Sequence, residues 1–158
     1  MERPVRGRRH GRPTLPGTRA EVLVILLDTD VLIDVALDRA PHVDAAAELL
    51  DYLEHAPRRA FVAWHTLSNF YYLVRPVRGG AAAKDFIEGL TDFVTVAPTE
   101  TESLRYATSL SMRDFEDAMQ VAAARACGAE FIVTRNAKDF RRSPIPAKKP
   151  IDALRALT

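Results

Sequence analysis

Residues 22–27 read Val-Leu-Val-Ile-Leu-Leu, six apolar side chains in succession, and the run then breaks into Asp28-Thr29-Asp30. A strand with one wet face alternates apolar and polar residues. An unbroken apolar run of this length fits a strand buried on both faces. A chain with such a strand must cover its sheet with a layer on each side. In parallel sheets of that kind, ligands sit just beyond the carboxyl ends of the strands. Asp28 and Asp30 therefore stand where a cation or substrate would be met.

The remaining pattern alternates apolar strands with amphipathic helices. After the strand Val22 to Leu27, a helix is expected from Val31 to Leu37, with Asp30 or Thr29 as its N-cap. Pro41 opens a second helix that Ala45 to Glu54 carries, with Ala46, Leu49, Leu50 and Leu53 at helical spacing. Ala60 to Trp64 reads as a second strand. Leu67 to Val74 reads as a helix ended by Pro76 and the Gly79-Gly80 pair. Ala81 to Leu90 is helical, and Phe93 to Val96 is a third strand closed by Pro98. Thr99 to Leu110 is a helix in which Thr99 and Glu102 match a capping box. Asp114 to Ala126 is an alanine-rich helix stopped by Gly128. Phe131 to Thr134 is a fourth strand. The proline-broken tail from Ser143 allows a last short strand near Ile145 and a final turn of helix. Strands separated by helices imply right-handed crossovers and a parallel sheet between two helical layers.

The chain has 158 residues, enough for one domain with a sizeable core. No apolar run approaches the length of a membrane span. One cysteine, Cys127, excludes an internal disulfide and fits a buried small hydrophobe in a cytoplasmic protein. The net charge of +1 conceals an asymmetry: residues 1–20 hold six arginines against Glu2, leaving −4 for the rest by difference. That basic, proline- and glycine-containing arm is expected to be disordered when free. It reads as a solvated tail or as an electrostatic tether for nucleic acid. The domain proper is expected over residues 21–158.

Three segments bring acids or amides to strand ends and helix starts: Asp28-Thr29-Asp30, Asp114-Phe115-Glu116-Asp117, and Thr134 to Phe140. Taken singly, each has an ordinary explanation. Asp114 can cap a helix, Asp117 is a favourable anion in a first turn, and Asp139 is a loop acid. Together, in a parallel α/β sheet, they face one crevice. Two carboxylates about 4 Å apart repel by on the order of 4 kcal/mol at an effective dielectric near 20. A shared proton or a bound cation relieves that repulsion. Carboxylate oxygens suit a hard cation, Mg²⁺ or Mn²⁺, which can activate water and stabilise charge on a phosphoryl oxygen. Hydrolysis of a phosphodiester is the matching chemistry.

In these segments the chain resembles the PIN-domain nucleases, including the VapC-type toxins of toxin–antitoxin pairs. LLDTDVLID is similar to the family's opening motif, with Asp28 as the leading acid. DFEDAMQVAAA is similar to its helix bearing a metal-binding aspartate, here Asp117. FIVTRNAKDF is similar to its last strand and loop, with Asn136 and Asp139 at the polar positions. The resemblance covers nearly everything after residue 21. It implies a three-layer α/β/α sandwich with a mostly parallel sheet of four to five strands. It also implies Mg²⁺- or Mn²⁺-dependent cleavage of RNA, an antitoxin partner and a homodimer. On this basis Asp28, Asp117 and Asp139 are expected to hold the metal. Asp30, Asn69, Asp114, Thr134 and Asn136 are expected to shape the site or orient water. Arg135, Lys138 and Arg141 are expected to meet RNA phosphates, with Arg142 beside them. The family usually carries a glutamate on the helix after the second strand, where this chain has Asn69. Asp30 stands where asparagine is more usual. The expectation is a site one carboxylate short at Asn69 and weakened in activity.

Two other readings use the same residues. A non-catalytic module on the same fold would hold RNA or a protein through the crevice. Asp28-Thr29-Asp30-Val31 also brushes the haloacid-dehalogenase motif, a phosphatase signature, but neither Lys84 nor Lys138 has the setting that motif requires. The histidines show no metal-ligand spacing. Phe70, Tyr71 and Tyr72 read as core or subunit-contact residues.

Overall fold

A computed structural model describes residues 22–158. The basic arm lies outside them. Five short strands, β1 (Ile25–Leu27), β2 (Ala60–Val62), β3 (Val94–Val96), β4 (Phe131–Val133) and β5 (Ala147–Lys148), form one sheet in the order β3-β2-β1-β4-β5. Every pairing is parallel. The first strand is shorter than its apolar run because only Ile25 to Leu27 face partners on both sides. Trp64, expected at the end of the second strand, instead starts a helix, because pairing ends at Val62.

Alternate residues of the opening run serve opposite layers. Ile25 and Leu27 pack with Leu32, Leu49, Leu53, Phe70 and Val74. These come from α1 (Thr29–Ala36), α2 (Val43–Glu54) and α3 (Trp64–Arg78), whose layer also holds α4 (Gly80–Leu90) and α7 (Pro150–Leu157). Leu26 packs on the opposite side with Val121, Ala123 and Ala124 of α6 (Phe115–Cys127), beside α5 (Thr101–Ser109). All three strand residues are 0% exposed, as a strand covered on both faces requires. The result is a three-layer α/β/α sandwich. Among the described residues, no helix is long and apolar enough to cross a membrane.

Several element boundaries differ from expectation, each for a local reason. Helix α1 is capped by Asp28, whose Oδ1 accepts from the Thr29 amide at 2.7 Å, rather than by Thr29 or Asp30. Helix α3 runs through Pro76 to Arg78. The proline stands in the last turn, where one missing N–H breaks little, and the stop falls on Gly79 at φ +86°. The capping box of α5 is Glu100 with Ser103, not Thr99 with Glu102. The Glu100 carboxylate takes the backbone N–H of Ser103, and the Glu100 N–H donates to Ser103 Oγ at 3.1 Å. The final helix is two turns, begun by Pro150 at a position that needs no N–H. Cys127 is half-buried, and its thiol donates to the Ala124 carbonyl.

Candidate metal centre

The register places Leu27 beside both Val62 and Val133. Asp28, Ala63 and Thr134 therefore leave the sheet together at its carboxyl edge. The Asp28 N–H still donates to the Val133 carbonyl at 2.9 Å, which holds the first acid against the end of β4.

Asp28 is 7% exposed and fully engaged. Its Oδ1 accepts from the Thr29 amide and from Gln120 Nε2 at 3.1 Å, and its Oδ2 accepts from the Thr134 hydroxyl at 2.9 Å. Burial pushes its carboxyl well above the ordinary range, and the charges of Asp30 and Glu116 add to the effect. The Thr134 hydroxyl also faces Asp30 Oδ2 at 3.1 Å. It has one hydrogen for two carboxylate oxygens, so it can serve only one of these acids at a time. Asp30 is held as well by the Arg135 amide, which lies 3.2 and 3.1 Å from its two oxygens, and by the Asn136 side-chain amide. Burial raises the Asp30 carboxyl, although the Arg135 amide, the Thr134 hydroxyl and the Arg135 charge oppose the rise.

Helix α6 brings the other acids. Asp114 caps it, as expected, by accepting from the Asp117 amide at 3.1 Å. Asp114, Glu116 and Asp117 each offer an oxygen, and the three lie within 4.8 Å of one another. Burial lifts the Asp117 carboxyl to about 7, helped by repulsion from Asp114, Glu116, Asp139 and Asp30. Asp117 stands between two clefts. One, of about 540 Å³, is lined by Asp28, Asp30, Asn69, Glu116 and Asp117 among others. The second, of about 920 Å³, is lined by Asp114, Asp117, Asp139, Arg113, Lys138 and Arg141 among others.

The site is not short of a glutamate. Asn69 does line the first cleft, but Glu116 of α6 supplies a carboxylate inside an intact Asp-Glu-Asp cluster. The expectation of a site weakened at Asn69 is therefore corrected. The donor set is all oxygen, which is what a hard divalent cation takes.

Four residues that shape this geometry, Gln120, Asp34, Glu116 and His65, carried no assigned role in the sequence. Gln120 is 0% exposed, and its Nε2 reaches Asp28, Thr66 at 2.8 Å and Glu116 at 3.0 Å. Both acids accept only, so the amide must present its nitrogen to them, which leaves its Oε1 buried without a partner. Asp34, 1% exposed, pairs with Arg135 Nη1 at 3.0 Å. That contact turns the Arg135 side chain toward α1. Glu116 also accepts from His65 Nε2 at 3.0 Å. A single amide within an alanine-rich helix is the signal that would have found Gln120, because a buried amide must be satisfied. Replacing Gln120 with leucine should remove the two N–H donors that Asp28, Glu116 and Thr66 share and cost about 1–3 kcal/mol. A urea midpoint unchanged from that of the parent would contradict this.

The fold and the acidic crevice together define a parallel α/β/α domain with a carboxylate centre at the strand ends. A family model described as PIN domain matches residues 24–138. The chain belongs to the PIN-domain family. No curated protein matches it in sequence. Among solved structures, it is similar to VapBC2 from Rickettsia felis, bound to a DNA fragment from its promoter. That likeness has 16% identity and a TM-score of 0.63, over 80% of this chain and 98% of the other. It is similar to VapC20 of Mycobacterium tuberculosis, a sarcin-ricin loop cleaving toxin, at 19% identity and TM-score 0.58, over 75% and 92% of the two chains. DNA-bound VapBC from Salmonella typhimurium gives 18% identity and TM-score 0.60, over 81% and 98%. At these identities the likeness is one of fold.

Proposed function

We propose that this protein is a Mg²⁺- or Mn²⁺-dependent endoribonuclease, the toxin of a toxin–antitoxin pair. The observation that carries the reading is the crowding of Asp28, Asp30, Glu116 and Asp117 around one cleft. Three of these acids have carboxyls raised chiefly by burial, and for Asp28 and Asp117 repulsion from their neighbours in the cleft adds to the rise. A divalent cation relieves that repulsion. Asp28 and Asp117 would hold it, with Glu116 beside them and Asp139 and Asp114 approaching from the second cleft. When bound, the cation would lower the pKa of a water and stabilise charge on the phosphoryl oxygens.

The chain's own groups do the rest. Thr134 and Gln120 fix the Asp28 carboxylate, and Asn136 and the Arg135 amide fix Asp30. Asn69 offers a carbonyl oxygen to orient water. Lys138 and Arg141, with Arg113 and Arg142, line the second cleft, where they can meet the phosphates on either side of the cleaved bond. A cytoplasmic setting suits both an RNA substrate and the lone cysteine. The exposed Tyr72, Leu73 and Val77 on α3 give an apolar stripe for a homodimer or for the antitoxin. The toxin role leans on the likeness to VapC20 and the VapBC pairs.

Calorimetric titration with Mn²⁺, paired with cleavage of mixed single-stranded RNAs with and without a chelator, tests this directly. Below pH 7 a proton on Asp117 competes with the cation. Affinity should therefore rise about tenfold per pH unit toward 7 and level off above it. Absent binding at millimolar Mn²⁺, together with absent cleavage, would favour a non-catalytic module on the same fold. The phosphatase alternative needs Asp30 free as a general acid, whereas the loop after β4 binds both its oxygens.

A further inference from the structure

A recess of about 160 Å³ lies between the start of α3 and helices α5 and α6. Its lining includes the small Ala107, Ala122 and Ala123, together with Trp64, Leu104 and Met119. Trp64 is 71% exposed and Leu104 is 49% exposed. Together they leave an aromatic face and an apolar rim open to a ligand. The volume is well below that of a drug-sized pocket. A helix, about 10–12 Å across, does not enter it, but one flat ring system does.

The recess shares a wall with the metal centre. His65 lines it, and His65 Nε2 bonds Glu116 Oε1, which belongs to the acidic cluster. The basic residues lie elsewhere, in the cleft that holds Asp117 and Asp139. One side of the centre thus suits a phosphate backbone and the other suits an uncharged aromatic ring.

We propose that this recess takes one unpaired nucleobase of the RNA strand, stacked on the Trp64 indole. The inference rests on the nuclease reading and adds to it a subsite for a base near the cleaved bond. Stacking tolerates any base face, whereas polar groups on the rim such as Thr99 can select among bases.

Trp64 is the only tryptophan in the chain, so its emission reports the recess without labelling. The full-length protein is titrated in Ca²⁺ with a single-stranded RNA hexamer and, separately, with the same sugar-phosphate chain lacking bases. A fluorescein-labelled RNA gives binding by anisotropy in parallel. The RNA should quench Trp64 and the abasic chain should not. Trp64→Ala should weaken RNA binding roughly 5- to 150-fold, the range of a lost base–aromatic stack. Trp64→Phe should retain most of the affinity, and neither variant should alter Mn²⁺ affinity. RNA binding by anisotropy with Trp64 emission unmoved would overturn the subsite and leave the nuclease reading standing. Absence of both RNA binding and cleavage would overturn the nuclease reading and the subsite with it. Trp64 emission that shifts with protein concentration alone would assign the recess to a second copy and overturn the proposal.

Discussion

Asp117→Asn should abolish metal-dependent RNA cleavage and, at the same time, make the folded protein more stable. The two effects have one cause. Asp117 is ionised at a cost, because burial and four neighbouring acids raise its carboxyl from 3.8 to about 7. The native state therefore binds a proton that the unfolded chain has already released between those values. Stability contributed by this group is full below pH 4 and falls as pH rises toward 7. Asparagine removes the penalty. The variant should melt higher than the parent at pH 7 to 8, and the difference should vanish below pH 4. Activity moves the other way. If Asp117 anchors the cation as proposed, losing its carboxylate removes several kcal/mol of transition-state stabilisation, on the order of 10³-fold in rate. Asp28→Asn should lose cleavage to the same degree. It should not gain stability in the same way, because an amide nitrogen would face donors from Thr29, Gln120 or Thr134. Cleavage assays beside circular dichroism melts at pH 4 and pH 8 check both halves. Undiminished cleavage by either variant would end the assignment of these acids to the metal.

The second large effect is expected far from RNA. Arg135→Ala should destabilise the fold by about 3 kcal/mol, because it leaves Asp34 charged, buried and unpaired. The double variant Asp34→Asn with Arg135→Ala should recover most of that loss, since the uncompensated charge is then gone. Urea unfolding of the two single variants and the double gives the coupling. A loss below about 1 kcal/mol for Arg135→Ala would show that the pair does not anchor the loop after β4. This result would also separate Arg135 from Lys138 and Arg141, whose loss should weaken RNA binding in a salt-dependent way without touching stability.

How far the site can be read from sequence depends on how far each residue reaches. Asp28 was legible because an apolar run ended on it. Asp114 and Asp117 were legible because helix starts favour acids at those positions, and the motif order gave their common edge. Glu116 stood in the same segment but looked like one more first-turn anion. Only the folded chain shows it held by Gln120 and His65. Gln120 meets Asp28 across 92 positions, and Asp34 meets Arg135 across 101, so neither pairing leaves a local pattern. Asn69 misled for the opposite reason: a familiar position was read for its residue type, while the carboxylate came from another helix. The helix ends shifted by a residue or two wherever a side chain such as Asp28 or Glu100 settled the cap.

The sheet order sets when the acidic crevice can first exist as the chain is made. The central strand, β1, is synthesised first, yet one of its two flanking partners is β4, whose Ile25↔Phe131 pairing spans most of the chain. Until residues 131–136 have left the ribosome, Asp28 lacks the Thr134 hydroxyl, and Asp30 lacks its cradle of Arg135 and Asn136. A nascent chain that ends before β4 holds only the β1–β2–β3 half of the sheet in its sequence. It cannot close the acidic crevice. The crevice is thereby completed only late in synthesis, once the loop after β4 is available to Asp28 and Asp30.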